Sequence, residues 1–213
     1  MVLFTYVYYI RMTKVFDKNE INIMKQNENN DPETVTIVSL DYDGCGDILF
    51  YDIDNGDYFY KENMKSKAKD IQSELMVYLD TISSQSKCTE LYVGSARQDI
   101  CMDENNESFN DNGSCFKNYK KICESKEWIF QTLLLVDIHN DVVAGSAMND
   151  RNICCNFLPS KNKNDIILHQ IKDARNNHPS AVINFYFFDD KSTILKNTYK
   201  YFLRTANYLT MLI

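Results

Sequence analysis

The sequence predicts an α/β domain on a mainly parallel sheet with helices on both faces, and three observations carry that prediction. Short β-branched or aromatic runs at 34–40, 91–95, 130–138 and 181–190 alternate with segments of helical period. The runs are apolar almost throughout rather than alternating, as expected of strands buried on both faces. Two of them end on paired carboxylates, Asp41/Asp43 and Asp189/Asp190. In an open α/β sheet, the carboxyl ends of the strands are where ligands collect.

The elements follow in order. The N-terminal stretch MVLFTYVYYIRMTK is too short to span a bilayer and lacks a basic flank, so an added strand or a frayed start is expected there. Residues 17–33 are polar and Asn-rich, which makes 1–33 an N-terminal extension or linker before a domain over 34–213. Val35, Ile37, Val38 and Leu40 make the first core strand, and the turn DYDGCG follows it. ILFYDI (48–53) and YFY (58–60) flank Asn55-Gly56, a strong hairpin signal, so a β-hairpin flap is expected over the carboxylates.

Ile71, Leu75, Leu79 and Ile82, spaced by four, four and three, place a helix over 65–84. LYVGS (91–95) is a second core strand, and 99–114 is polar and reads as a loop. A helix over 116–127 and a third strand, FQTLLLVDI (130–138), come next, inside a stretch (99–162) that reads as an insertion. Asn164 or Asp165 caps a helix running to Arg175. AVINFYFFDD is the fourth core strand, Ser192 starts a helix, and the apolar end NYLTMLI suggests a final strand or a truncated product.

Composition excludes several classes. The net charge of −7 argues against a nucleic-acid face, which needs clustered Lys and Arg. The seven cysteines lack any C-x-x-C, and with three histidines no zinc spacing can be assembled. They read as reduced thiols of a cytoplasmic chain. Arg97 lies nine residues beyond Cys88, too far for a thiol-phosphatase loop, and VGSAR and AGSAM lack the spacing of a serine nucleophile elbow.

Chemistry-capable residues recur at strand ends: Asp41 and Asp43 after the first, Ser95 after the second, Asp189 and Asp190 after the fourth, with Lys163 before the helix that precedes the fourth. Two carboxylates so close repel unless a cation or shared proton offsets them, and Mg2+ suits such oxygen donors. LDYDG, YVGS, SKNK and FFDD, in that order over residues 34–205, resemble the four motifs of the haloacid dehalogenase (HAD) superfamily of phosphohydrolases. VGSARQ, LLLVD and FYFFDD also resemble uncharacterised HAD-like proteins of host-dwelling bacteria.

The resemblance implies a Rossmann-like HAD fold with a hairpin flap and Mg2+-dependent hydrolysis of a phosphate ester through an aspartyl-phosphate. It makes Asp41 the nucleophile and Asp43 the acid/base, with Ser95 and Lys163 holding the phosphoryl group. It assigns the metal to Asp41, the Asp43 carbonyl, Asp189 and Asp190. Cys45 departs from the Thr or Val common at its place. Lys161 and Lys172 are alternatives to Lys163, and Arg97 and Gln98 are candidates for substrate contact. The substrate class stays open among small molecule, glycan and protein, with no large cap evident. The alternatives are an inactive HAD-like binding module, a phosphotransferase, or an EF-hand with Asp41 at loop position one and Asp52 at twelve.

Overall fold

The computed structural model of the chain describes residues 6–12, 33–50, 62–98, 103, 113–132 and 163–209. Five strands run in chain order as β1 (Tyr6–Met12), β2 (Thr34–Leu40), β3 (Cys88–Val93), β4 (Ile129–Gln131) and β5 (Val182–Asp189). The helices are α1 (Glu62–Ser83), α2 (Cys115–Lys126), α3 (Asn164–Asn177) and α4 (Ser192–Leu209), with a 3₁₀ helix at Gly46–Phe50.

The strands form one sheet in the order β1-β5-β2-β3-β4. β2 pairs in parallel with both β5 and β3, and β3 pairs in parallel with β4. The expected extra strand at the N-terminus is β1, which joins the edge antiparallel to β5.

Both faces are covered, as the unbroken apolar runs require. Val38, Leu40, Leu91, Val93, Tyr186 and Phe188 pack with Leu75, Leu79 and Ile82 of α1 and with Phe116 and Tyr119 of α2. Val35, Ile37, Tyr92, Ile183, Phe185 and Phe187 face the other way, against Ile167 and Ala174 of α3 and Ile194 and Leu195 of α4. Buried polar side chains lock helices to strands. Thr36 Oγ1 donates to the Ile82 carbonyl at the end of α1 (3.2 Å). Ser39 Oγ donates to Gln170 Oε1 (2.6 Å), and Gln170 Nε2 donates to the Val93 carbonyl (2.9 Å). Gln170 therefore fixes α3 across β2 and β3 together.

The chain runs outward from β2 to β3 and β4, then returns to the opposite side of β2 as β5. The order reverses between β2 and β5, and such a switch point opens a crevice at the carboxyl ends of the two strands. Leu40 is in register with Phe188 on one side and Val93 on the other. Asp41 and Asp189, each one residue further on, are thus neighbours at the mouth of that crevice, and Asp41 N donates to the Phe188 carbonyl (3.0 Å).

Several expectations shift. Residues 48–50 are 3₁₀ helix rather than the first limb of a hairpin. The reason lies in the preceding turn, where Cys45 N and Asp47 N donate to Tyr42 O and Gly46 N to Asp41 O, so the chain enters the segment already coiled. Ile48, Leu49 and Phe50 then satisfy their apolar character by packing on the α1 side of the core. The hairpin signal at Asn55-Gly56, the segment 133–138 of the third strand, and Lys161 lie outside the described residues. At the C-terminus, residues 207–209 continue α4 rather than forming a strand. The third helix starts at Asn164, and Lys163 precedes it without a side-chain cap. Inside the stretch read as an insertion, α2 and β4 belong to the sheet domain, with Cys115, Phe116 and Tyr119 in its core.

Candidate active site

Asp41 leaves β2 with its side chain almost wholly buried, and its backbone is held from three directions. Its N–H bonds β5, Gly46 N donates to its carbonyl (2.8 Å), and the Tyr119 hydroxyl approaches the same carbonyl at 2.8 Å and the Leu40 carbonyl at 3.1 Å. Gly44 lets the turn close: its φ is +80°, and a Cβ there would lie 2.9 Å from Asp190 Oδ2. The peptide after Asp43 therefore rests against Asp190.

Lys163 reaches into this end of the sheet from the start of α3. Its Nζ lies 2.7 Å from Asp41 Oδ1 and 2.8 Å from Asp189 Oδ2, bridging β2 and β5. Lys191 N donates to Asp189 Oδ1 (2.8 Å). Asp190 Oδ1 is buried without a hydrogen-bond partner among the described residues.

The electrostatics are those of anions crowded out of water. Burial pushes the Asp41 carboxyl up to about 6; Lys163 opposes that rise, and Asp189 and Asp190 add to it. Asp190 is also raised, first by burial and then by Asp189. For Lys163, burial favours the neutral amine, but Asp41 and Asp189 outweigh it and hold the ammonium charged above its ordinary range. Burial, reinforced by the same aspartates, pushes the Cys45 thiol well up, so that sulfur is an inert wall rather than a nucleophile.

The carboxylates of Asp41, Asp189 and Asp190 each offer one oxygen, all within 4.8 Å of one another. This set could hold a metal ion, and carboxylate oxygens are the donors that hard cations take. The unpartnered oxygen of Asp190 supports the same fit.

The second carboxylate of the turn sits differently. Both oxygens of Asp43 are gripped by the Arg97 fork, Nε to Oδ2 at 2.9 Å and Nη2 to Oδ1 at 2.5 Å. Arg97 Nη1 donates to Asp103 Oδ1 (3.0 Å) and to the Gly113 carbonyl (2.8 Å), and its guanidinium lies 4.6 Å from the centre of the Tyr42 ring. Asp103 in turn accepts from Ser114 Oγ (2.6 Å), Cys115 N (3.1 Å) and Phe116 N (3.1 Å), tying the cluster to the start of α2.

The residues singled out in the sequence thus divide. Asp41, Lys163, Asp189 and Asp190 converge on one cluster. Asp43 is next to it, on Arg97. Ser95 is buried just past the end of β3, where Arg97 N approaches its Oγ at 3.4 Å and Gln98 Nε2 donates to its carbonyl (2.7 Å). Gly94 brings it close, because a Cβ there would stand 2.7 Å from Ser39 Oγ and 3.0 Å from the Leu40 backbone. Gln98 is buried on backbone carbonyls, donating also to Val93 O (3.1 Å). Lys172 is exposed on α3. An EF-hand needs a helix before Asp41, and the chain has strand β2 there. Sequence reasoning missed Asp103, hidden in a stretch read as polar loop; Ser114, a helix cap eleven residues later, was the available signal.

Fold and site together define a protein of the α/β class with a cluster of acidic side chains at its switch point. No protein-family model, curated protein or solved structure matches this chain. No described helix is long and apolar enough to cross a membrane.

Proposed function

We propose that the chain is a HAD-like, Mg2+-dependent phosphohydrolase that cleaves a phosphate ester through an aspartyl-phosphate on Asp41. The observation that carries this reading is the meeting of Asp41, Lys163, Asp189 and Asp190 where the strand order reverses. Asp41, Asp189 and Asp190, with the Asp43 carbonyl, would hold the ion, which supplies positive charge against the phosphoryl oxygens.

An Asp41 oxygen attacks phosphorus. The bond to the ester oxygen breaks, its electron pair leaves on that oxygen, and Asp43 supplies the proton. Water then attacks phosphorus and gives its proton to Asp43; the bond to Asp41 breaks, releasing inorganic phosphate. Lys163 sets a fixed charge against the developing anion, and Ser95 donates a hydrogen bond to it. Burial of Asp41 favours such chemistry, since a desolvated carboxylate is the more reactive nucleophile.

Hydrolysis of an aryl phosphate by wild type and Asp41→Asn, each with Mg2+ and with chelator, tests the reading. Turnover is expected only in wild type with Mg2+. Equal rates in the two proteins would sink the mechanism, and metal binding without turnover would favour a binding module.

A further inference from the structure

We infer that Arg97 is a positioning residue, holding Asp43 as the proton donor and acceptor of the reaction, and this rests on the phosphohydrolase reading. The two side chains are unequally exposed: Arg97 is 2% exposed, whereas 48% of the Asp43 side chain is open. The guanidinium therefore grips the carboxylate from the buried side, and part of the carboxylate stays accessible.

The grip is itself anchored. Asp103, the Gly113 carbonyl and the Tyr42 ring fix the far side of Arg97, and Asp103 is bound by the first N–H groups of α2. Tyr42 is held by Asn118 of α2, whose Nδ2 donates to its hydroxyl (2.6 Å). The chain Asp43–Arg97–Asp103–α2 thus refers the position of an exposed turn side chain to a rigid element of the core. Substrate contact by Arg97 is not required in this arrangement, because its fork is committed to Asp43.

Leaving-group dependence separates positioning from simple structural support. A poor leaving group needs its proton during P–O cleavage, whereas 2,4-dinitrophenolate leaves without one, and kcat/KM reports that first step alone. Arg97→Met is expected to lower kcat/KM for a simple alkyl phosphate by about 100-fold and for 2,4-dinitrophenyl phosphate by less than about 3-fold. Arg97→Lys, which keeps the buried charge but cannot span both oxygens, is expected to fall between and to show the same asymmetry. Asp43→Asn should reproduce the pattern, and adding Arg97→Met to it should cost nothing more on the alkyl ester.

An equal loss on both substrates in the Lys variant, or additive losses in the double variant, overturns the positioning role while leaving the phosphohydrolase reading intact. If Arg97→Met does not fold, the Lys variant alone decides. A wild type that hydrolyses neither ester with Mg2+, or an Asp41→Asn variant as active as wild type, removes the reading and the positioning role together.

Discussion

Lys163 Nζ stands 2.7 Å from Asp41 Oδ1, so an ammonium from the start of α3 neutralises the carboxylate that ends the central strand. The same nitrogen holds Asp189, which makes Lys163 the clasp between β2 and β5 at their carboxyl ends. Removing one partner from a buried ion pair leaves charge uncompensated and costs about 3–5 kcal/mol. Lys163→Met is therefore expected to lose stability on that scale in chelator, measured by urea unfolding at pH 7.5. Mg2+ should restore part of the loss by taking over the charge. A variant as stable as wild type in chelator would mean that the pair is not formed.

Stability in the absence of metal should depend on pH in an unusual sense. The folded Asp41 carboxyl is pushed up to about 6, from an ordinary value of 3.8. Between these values the folded state binds more protons than the unfolded one, so stability falls as pH rises. The contribution is fully present below the ordinary value and lost as pH passes 6, on the order of 3 kcal/mol. Thermal unfolding in chelator at pH 5 and pH 7.5 checks this for Asp41 by comparison with Asp41→Asn, in which the difference should shrink.

Mg2+ should work against that trend, because a cation favours the ionised carboxylates. Saturating Mg2+ at about 100 times its Kd adds about 2.7 kcal/mol. The rise in Tm is expected to be larger at pH 7.5 than at pH 5. A rise independent of pH, or one retained in Asp189→Asn/Asp190→Asn, would place the ion elsewhere.

Gly44→Ala combines two penalties. The φ of +80° is costly for an L side chain, and the new Cβ would press on Asp190 Oδ2 from 2.9 Å. A cost of about 1–2 kcal/mol is expected from the backbone alone. Weaker Mg2+ binding by calorimetry should accompany it, because Asp190 belongs to the acidic cluster.

Tyr119→Phe removes the hydroxyl that bonds the Leu40 and Asp41 carbonyls. The Gly46 N–H still serves Asp41, so the loss should be modest, about 1 kcal/mol. Since the backbone of Asp41 is loosened while its side chain is untouched, turnover should fall more than stability. An unchanged rate beside an unchanged Tm would show that Gly46 and the bond to β5 suffice to hold the strand end.

What the sequence disclosed follows the range of the forces involved. β2 and β5 were legible because strands buried on both faces leave unbroken apolar runs, and Asp41 and Asp189 because acids directly after such runs stand out. The helices showed through their period. Less was visible where distant partners decide the outcome. Ile48 to Phe50 look like a strand in isolation, yet a coiled turn upstream and a core contact downstream make them 3₁₀ helix. Lys163 differs from Lys172 by its place before the first turn of α3, and no local pattern encodes that reach. The bond from Arg97 to Asp103 depends on a loop closing onto the start of α2, which neither composition nor spacing records.

The position of β2 also sets the order in which the chain can be finished. Its partner on one side, β3, follows soon, but its partner on the other side is β5. During synthesis the strand that bears Asp41 must stand with one edge unpaired until residues 182–189 have left the ribosome, and an open apolar edge invites pairing with other chains. No shorter nascent chain holds Asp41 beside Asp189. The pocket is therefore assembled in one late step, and a nascent chain stalled before β5 would be both inert and prone to aggregate.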